Sequence, residues 1–177
     1  IPEPDPDLAA DMYLYAEEEL AKAGYHHYEI SNWCLPGHLS RHNLTYWLNK
    51  PYLGIGPGAH SSIDGYRFHN INAPRQYLRL VHEWAVRGAS NTYKMDEDAL
   101  NSCDPVEEIE RIDERTAMSE TMFLGLRLLD GLAADRFHEH HGSDMFDVYG
   151  LQIRDLIKKG LLERESNMLR LTERGRL

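Results

Sequence analysis

The spacing of apolar positions divides the chain into short mixed elements at the start and a more helical tail. Leu8, Met12, Tyr15, Ala16 and Leu20 recur at the three- and four-residue intervals that keep one helix face apolar, while Glu17 to Glu19 fall toward water. Pro4 and Pro6, set among acidic residues, mark the start of that helix and Gly24 marks its stop. The stretch "YHHYEISNW" (25–33) reads as a strand, ended by Pro36-Gly37. "YLGIGPGAH" (52–60) reads as a short buried strand entering a Gly-Pro-Gly loop, and "YRFHNI" (66–71) as a further strand after the Asp64-Gly65 turn. This order suits an α/β layer. If the strands at 25–33 and 52–60 run parallel, Asn32 to Cys34 and Gly56 to His60 share one rim, the side on which such layers carry ligands.

From Pro74 the pattern changes. Tyr77, Val81, Trp84 and Ala85 predict an amphipathic helix closed by Gly88, and the polar stretch 90–105 predicts a linker. A helical pattern then runs from Val106 to Leu129, "LAADRFHEHHG" predicts a second helix, and Met145 to Lys159 a third, stopped by Gly160. "GLLERESNMLRLTERG" (160–175) alternates as a hairpin does, with Ser166-Asn167 at its turn. Three helices and a terminal hairpin predict a small winged-helix-like unit. The expected organisation is therefore 1–73, then 74–105 as helix and linker, then 106–177; no internal repeat is visible.

Composition narrows the function classes. With 42% hydrophobic and 27% charged residues in 177, the chain has the make-up of an ordinary globular protein. A net charge of −10 argues against nucleic acid or anionic lipid as a general partner, because phosphate binding wants a basic face. No apolar run reaches the length of a membrane span, so no membrane span is expected and the cytoplasm is the expected location. Cys34 and Cys103 cannot build a disulfide framework, nor a four-thiolate iron–sulfur cluster, and suit a reducing compartment. The chain opens "IPEPDPDLAADMY", without an initiator Met, in the manner of a piece of a longer protein.

The densest chemistry lies in "RHNLTYW", Arg41 to Trp47. A neutral imidazole ligates iron or zinc, and one axial histidine is a common way to hold haem. His42 beside Tyr46 and Trp47 would meet a porphyrin with aromatic faces, and Arg41 would pair with a propionate. The ordinary alternative is a capped turn whose aromatics fill a core edge, with His42 hydrogen-bonded to a carbonyl. Spacing alone favours that alternative. Cys34, His38 and His42 stand at C-x₃-H-x₃-H spacing, but structural zinc wants four ligands and Pro36-Gly37 breaks the alignment. The glycines of "GIGPGAH" allow close backbone approach to a ligand, yet lack the P-loop ending; a tight turn is the simpler reading. "HEHH" (138–141) reads as a solvated helix end. The terminal winged-helix pattern raises a DNA-binding module as an alternative, but Arg154, Lys158 and Lys159 are interleaved with Asp144, Asp147 and Asp155.

"YEISNWCLPGHLSRHNLTYW", "YLGIGPGAHS" and "ETMFLGLRLLDGL", in this order, resemble the HemW-like radical-SAM haem chaperone family, whose members are often described as similar to oxygen-independent coproporphyrinogen III oxidase. The resemblance runs from the first helix to the end of the chain, and H-N-x-x-Y-W is its discriminating element. It implies an α/β fold: the final elements of a partial radical-SAM barrel in 1–73, followed by the winged-helix-like helical domain in 106–177. It also implies that the chain is a carboxyl-terminal portion, with the family's CxxxCxxC element upstream of Ile1. The 4Fe–4S cluster and S-adenosylmethionine would then belong to the intact protein only. By motif, His42 is the residue expected to contact haem iron, with Asn43, Tyr46, Trp47 and Arg41 shaping the contact and Asn43 orienting the imidazole. Cys34, Gly56, Gly58 and His60 match loops that approach S-adenosylmethionine in the related oxidase. The expected partners are haem, haem-accepting proteins, the amino-terminal radical-SAM half of the same protein and, left open, a second copy of the chain. The expected function is haem binding and transfer. The alternative within the same resemblance is radical oxidative decarboxylation of coproporphyrinogen III.

Overall fold

In the computed structural model, which describes residues 5–87, 97–101 and 105–177, the elements begin with α1 (Pro6–Lys22), β1 (His26–Glu29), β2 (Asn32–Cys34), α2 (Arg41–Trp47), β3 (His60–Ile63), β4 (Tyr66–Asn70) and α3 (Pro74–Arg87). They continue as α4 (Glu97–Asn101), β5 (Val106–Arg111), α5 (Glu114–Gly125), β6 (Leu132–Ala133), α6 (Ala134–His141), α7 (Met145–Val148), α8 (Gly150–Lys158), β7 (Leu162–Glu165), β8 (Met168–Leu171) and α9 (Glu173–Arg176). The fold is mixed α/β. Its sheets are ordered β1-β2, β3-β4-β5 and β6-β8-β7, and among the described residues every strand pairing is antiparallel.

Neither 25–33 nor 52–60 forms the single strand expected of it. The first segment reverses at Ile30-Ser31 into the β1–β2 hairpin. The second makes only an isolated bridge from Tyr52 to Ser62, and Leu53 and Ile55 are 60% and 85% exposed rather than buried. Ile30 and Ser31 let the first segment fold back on itself, so its backbone groups pair locally and neither segment is one continuous strand.

The chain forms two compact units: Ile1–Asn49 with Met118–Leu177, and Lys50–Ala117. In the first, the Asp5 carboxylate accepts the Asp7 N–H at 3.1 Å and caps α1, Pro6 fixes the first turn, and Gly24 (φ +82°) ends it. The inner face of α1 is tied to the hairpin, where the Tyr13 hydroxyl donates to the Ile30 carbonyl at 2.9 Å. Glu17 accepts from Arg176 Nη1 at 3.2 Å, which joins the first helix to α9. The main core lies farther along the chain, where Phe137, Met145 and Leu169 are fully buried and Leu132, Ile153 and Leu162 nearly so. Each such side chain contributes about 1.5–3 kcal/mol by leaving water. Gly131 takes φ +83°, and a Cβ there would lie 2.3 Å from the Leu169 carbonyl oxygen, so β6 reaches β8 only because this residue is glycine. The terminal hairpin forms as expected, turning at Ser166 (φ +53°). The helix expected over 145–159 is interrupted: Tyr149 leaves helical geometry (φ −114°, ψ 15°), giving α7 and α8.

In the second unit, Asp64 (φ +51°) and Gly65 (φ +80°) form the tight turn that matches the twist of β3 and β4. The continuous helix expected over Val106–Leu129 is corrected. Val106–Arg111 is β5, paired along β4 with Ile109 opposite Phe68, and α5 begins only after Asp113, whose carboxylate accepts the Thr116 N–H at 2.7 Å. Val106 and Ile109 are three residues apart and imitate a helical period, but the free edge of β4 recruits their backbone. The helix from Pro74 is present as α3. Of the linker expected at 90–105, residues 97–101 form α4, whereas 90–96 and 102–104, like Gly88, lie outside the described residues.

Candidate functional site

The segment Arg41–Trp47 is a two-turn helix, too short to persist alone in water, and its own unit holds both ends. At the start, the Ser40 hydroxyl accepts the Asn43 N–H at 3.3 Å. At the end, Asn49 takes left-handed backbone (φ +46°) and its N–H donates to the Tyr46 carbonyl at 2.8 Å. Arg136 Nη2 on α6 donates to the Leu48 carbonyl, where a cation also complements the helix dipole. Burial lowers the Arg136 pKa, yet a guanidinium keeps its proton in a protein. The Asn49 amide donates to Thr121 Oγ1 at 3.1 Å, and His141 Nε2 lies 2.9 Å from the same oxygen.

His42 and Tyr46 sit one turn apart with their rings edge to face, centroids 4.9 Å apart at 88°. His42 is exposed, and among the described residues no hydrogen bond engages its ring nitrogens. The carbonyl-bonded histidine of the ordinary alternative is thus not the arrangement found. Nor does a hydrogen bond join the Asn43 amide to His42 among the described residues; the contact recorded for Asn43 is its backbone N–H on Ser40. Arg41 is exposed at the first position, its carbonyl accepting from Thr45 Oγ1 at 3.0 Å.

Trp47 turns inward. The guanidinium carbon of Arg127 lies 4.1 Å from its ring centroid, and Arg127 Nη2 donates to Glu29 Oε2 at 3.2 Å and Ser31 Oγ at 3.1 Å. Glu29 is wholly buried, and the Asn32 amide donates to its second oxygen. Glu29 and Arg127 were not singled out by motif spacing. Their signal in the sequence is a lone carboxylate in the aromatic strand "YHHYEIS" and a lone cation in "FLGLRLL", residue types that are seldom buried without each other.

The other residues carried over by motif fall in different places. Cys34 is a buried free thiol on β2, opposite His26. Gly56, Gly58 and His60 belong to the second unit. There the Gly54 N–H donates to Ser61 Oγ at 3.0 Å, Gly56 N–H to the Tyr77 hydroxyl at 3.1 Å and Gly58 N–H to the Ile71 carbonyl at 3.1 Å. A Cβ on Gly54 would lie 2.2 Å from the His60 carbonyl oxygen, so close packing of the loop on itself accounts for that glycine. The loop's amides at 54, 56 and 58 are thus engaged within the unit, as are the Gly54 and Gly56 carbonyls, which accept from the Asn70 amide at 3.4 and 3.0 Å; exposed Leu53 and Ile55 are what the loop turns outward. His60 is exposed at the start of β3, its ring centroid 5.0 Å from that of His69. The Asn70 carbonyl, then Glu108 and Glu107, hold the His69 imidazole above the ordinary histidine pKa.

Among the described residues no three histidine, cysteine or carboxylate side chains group as a metal site. Cys34, His38 and His42 therefore do not converge; "HEHH" ends α6 with His138, Glu139 and His140 exposed, His140 Nδ1 2.9 Å from the Arg136 carbonyl, while His141 is half-buried against Phe137 and Thr121. No helix among the described residues is long and apolar enough to cross a membrane.

Comparison with known proteins gives the class first. Residues 112–177 match the HemN C-terminal domain family. The chain matches the structure of coproporphyrinogen III oxidase (HemN) from Escherichia coli, a radical SAM enzyme, with a TM-score of 0.66 and 16% identity, over 98% of this chain and 39% of that one; this is likeness of fold. The more particular likeness is to proteins named heme chaperone HemW. That of Lactococcus lactis is 36% identical over 97% of this chain and 40% of its own length, and that of Bacillus subtilis 32% identical over 98% and 41%. The chain is a HemW-like sequence with a HemN C-terminal domain, resembles the carboxyl-terminal portion of those proteins, and spans about 40% of their length.

Proposed function

We propose that this chain is the carboxyl-terminal portion of a haem chaperone, which binds haem through His42 and passes it to haem proteins. The observation that carries the reading is the presentation of His42: an exposed imidazole without a hydrogen bond among the described residues, on a short helix fixed at both ends. An unengaged ring nitrogen is what axial ligation of iron needs, and Tyr46, edge-on to the ring, limits its rotation. Arg41, exposed one residue earlier, supplies a cation for a propionate. Trp47 packs inward on Arg127, while Asn43, next to His42, gives its backbone N–H to Ser40 and leaves its amide to shape the contact. Iron held by one protein nitrogen keeps its opposite side open, which suits cargo that must leave again.

In this reading residues 1–73 complete a partial radical-SAM barrel, 74–105 connect, and 106–177 form a winged-helix-like domain in which α5, α6 and α8 pack on the β7–β8 hairpin. The two cysteines do not fit a 4Fe–4S cluster, so the cluster is assigned to the amino-terminal half of the intact protein. S-adenosylmethionine is assigned to the same intact protein, with Cys34, Gly56, Gly58 and His60 as its neighbours. Because the Gly56 and Gly58 amides and the Gly56 carbonyl are engaged internally, these glycines would meet it through close backbone contact. A cytoplasmic location fits the sparse use of cysteine. The acidity of the chain, and Asp144, Asp147 and Asp155 interleaved with Arg154, Lys158 and Lys159, favour docking of the terminal domain on protein rather than on DNA.

The test is haem titration of the chain and of His42→Ala. The variant is expected to lose the Soret shift of axial imidazole ligation and to bind at least tenfold more weakly. An unchanged Soret band with unchanged affinity sinks the assignment. Turnover of coproporphyrinogen III by the reconstituted intact protein would replace the chaperone reading with the oxidase one.

A further inference from the structure

Trp47 and His42 lie five residues apart on one helix, so at 3.6 residues per turn they point about 140° away from each other. His42 and Tyr46, four apart, lie about 40° apart and share a face. Whatever holds Trp47 inward therefore turns His42 outward. What holds it is Arg127, whose guanidinium carbon is 4.1 Å from the Trp47 ring centroid. That guanidinium is itself fixed, by Glu29 Oε2 at 3.2 Å and Ser31 Oγ at 3.1 Å. Glu29 is wholly buried, so its carboxylate has no water to exchange for the cation, and Asn32 holds its other oxygen. A planar cation locked by two acceptors offers one fixed face, and an indole on that face is fixed in turn.

We infer that Arg127 is a positioning residue for α2: through Trp47 it sets the rotation of the helix and so the direction in which His42 points. The inference deepens the haem-contact reading of His42 and rests on it for its functional meaning. It places a control of the site on the segment after α5, and through Glu29 on the β1–β2 hairpin.

The discriminating variant is Arg127→Lys, which keeps a cation for Glu29 but loses the flat face that Trp47 needs. Amide hydrogen exchange in the chain is expected to quicken roughly tenfold over residues 43–49 while β7 and β8 keep their protection. Haem affinity is expected to fall by a similar factor with the Soret position unchanged, because His42 is still present as ligand. Trp47→Leu, which leaves the Arg127–Glu29 pair intact, must give the same local loss; this arm remains decisive if Arg127→Lys does not fold. Unchanged exchange over 43–49, or an equal loss across the whole chain, overturns the positioning role. If His42→Ala binds haem as the wild type does, the ligand reading fails, whereas the exchange measurement still judges Arg127.

Discussion

Replacing Glu29 tests the buried network most directly. The carboxylate is wholly shielded from water and has two partners, Arg127 on one oxygen and Asn32 on the other, while the Arg127 side chain remains 23% exposed. In Glu29→Ala both partners are stranded. Breaking a buried ion pair costs about 3–5 kcal/mol, and the low end applies because Arg127 keeps Ser31, the Trp47 face and some water. The Asn32 hydrogen bond adds about 1 kcal/mol, for a total of about 4 kcal/mol. Glu29→Gln preserves shape but has one acceptor oxygen for two donors, so either Arg127 or Asn32 meets an NH₂ group; about 2 kcal/mol is expected. Urea unfolding of the three proteins, with equal m-values as the check on two-state behaviour, supplies the comparison. If Glu29→Gln stays within 0.5 kcal/mol of wild type, as a surface substitution does on that scale, the carboxylate is not holding the pair and the reasoning fails.

Two further outcomes follow from other parts of the fold. Gly131→Ala places a methyl group 2.3 Å from the Leu169 carbonyl oxygen at φ +83°, so a loss of about 3 kcal/mol or more is expected in thermal or urea unfolding; a variant within 1 kcal/mol of wild type would show that β6 and β8 separate freely. His69, whose folded-state pKa is raised by the Asn70 carbonyl and then by Glu108 and Glu107, favours the folded state when protonated. Its contribution is fully present below the ordinary histidine value of about 6.5 and is lost as pH rises through the folded pKa. Stability measured from pH 5.5 to 8.5 should therefore fall less steeply in His69→Gln than in wild type, and identical slopes would remove His69 from the pH response.

The legible parts of the chain are those with local causes. The Asp5-Pro6 start and Gly24 stop of α1, the Asp64-Gly65 reversal, α3 and the terminal hairpin each rest on residues within a few positions of one another. The order of three motifs also sufficed to indicate the HemW-like family, because motif identity needs no geometry. His42, Tyr46 and Trp47 were visible as chemistry in the same way. Their division was not: His42 with Tyr46 faces outward and Trp47 inward, and this depends on Arg127, 80 residues beyond Trp47 in the numbering. Val106–Arg111 failed for the same reason, since its three-residue spacing imitates a helix and only the edge of β4 makes it a strand.

By itself, then, the sequence determined the start and stop of α1, the Asp64-Gly65 turn and the terminal hairpin, the kinship of the chain, and which residues carry candidate chemistry. Tertiary structure alone decided that 25–33 is a hairpin, that the Gly54, Gly56 and Gly58 amides are engaged within their own unit, and that a buried Glu29–Arg127 pair stands behind Trp47. Caps, turns and periodicity act over one or two turns of chain and are written in neighbouring residues. A buried charge, by contrast, is tolerable only beside a partner that folding brings from elsewhere, so neither residue alone announces the pair.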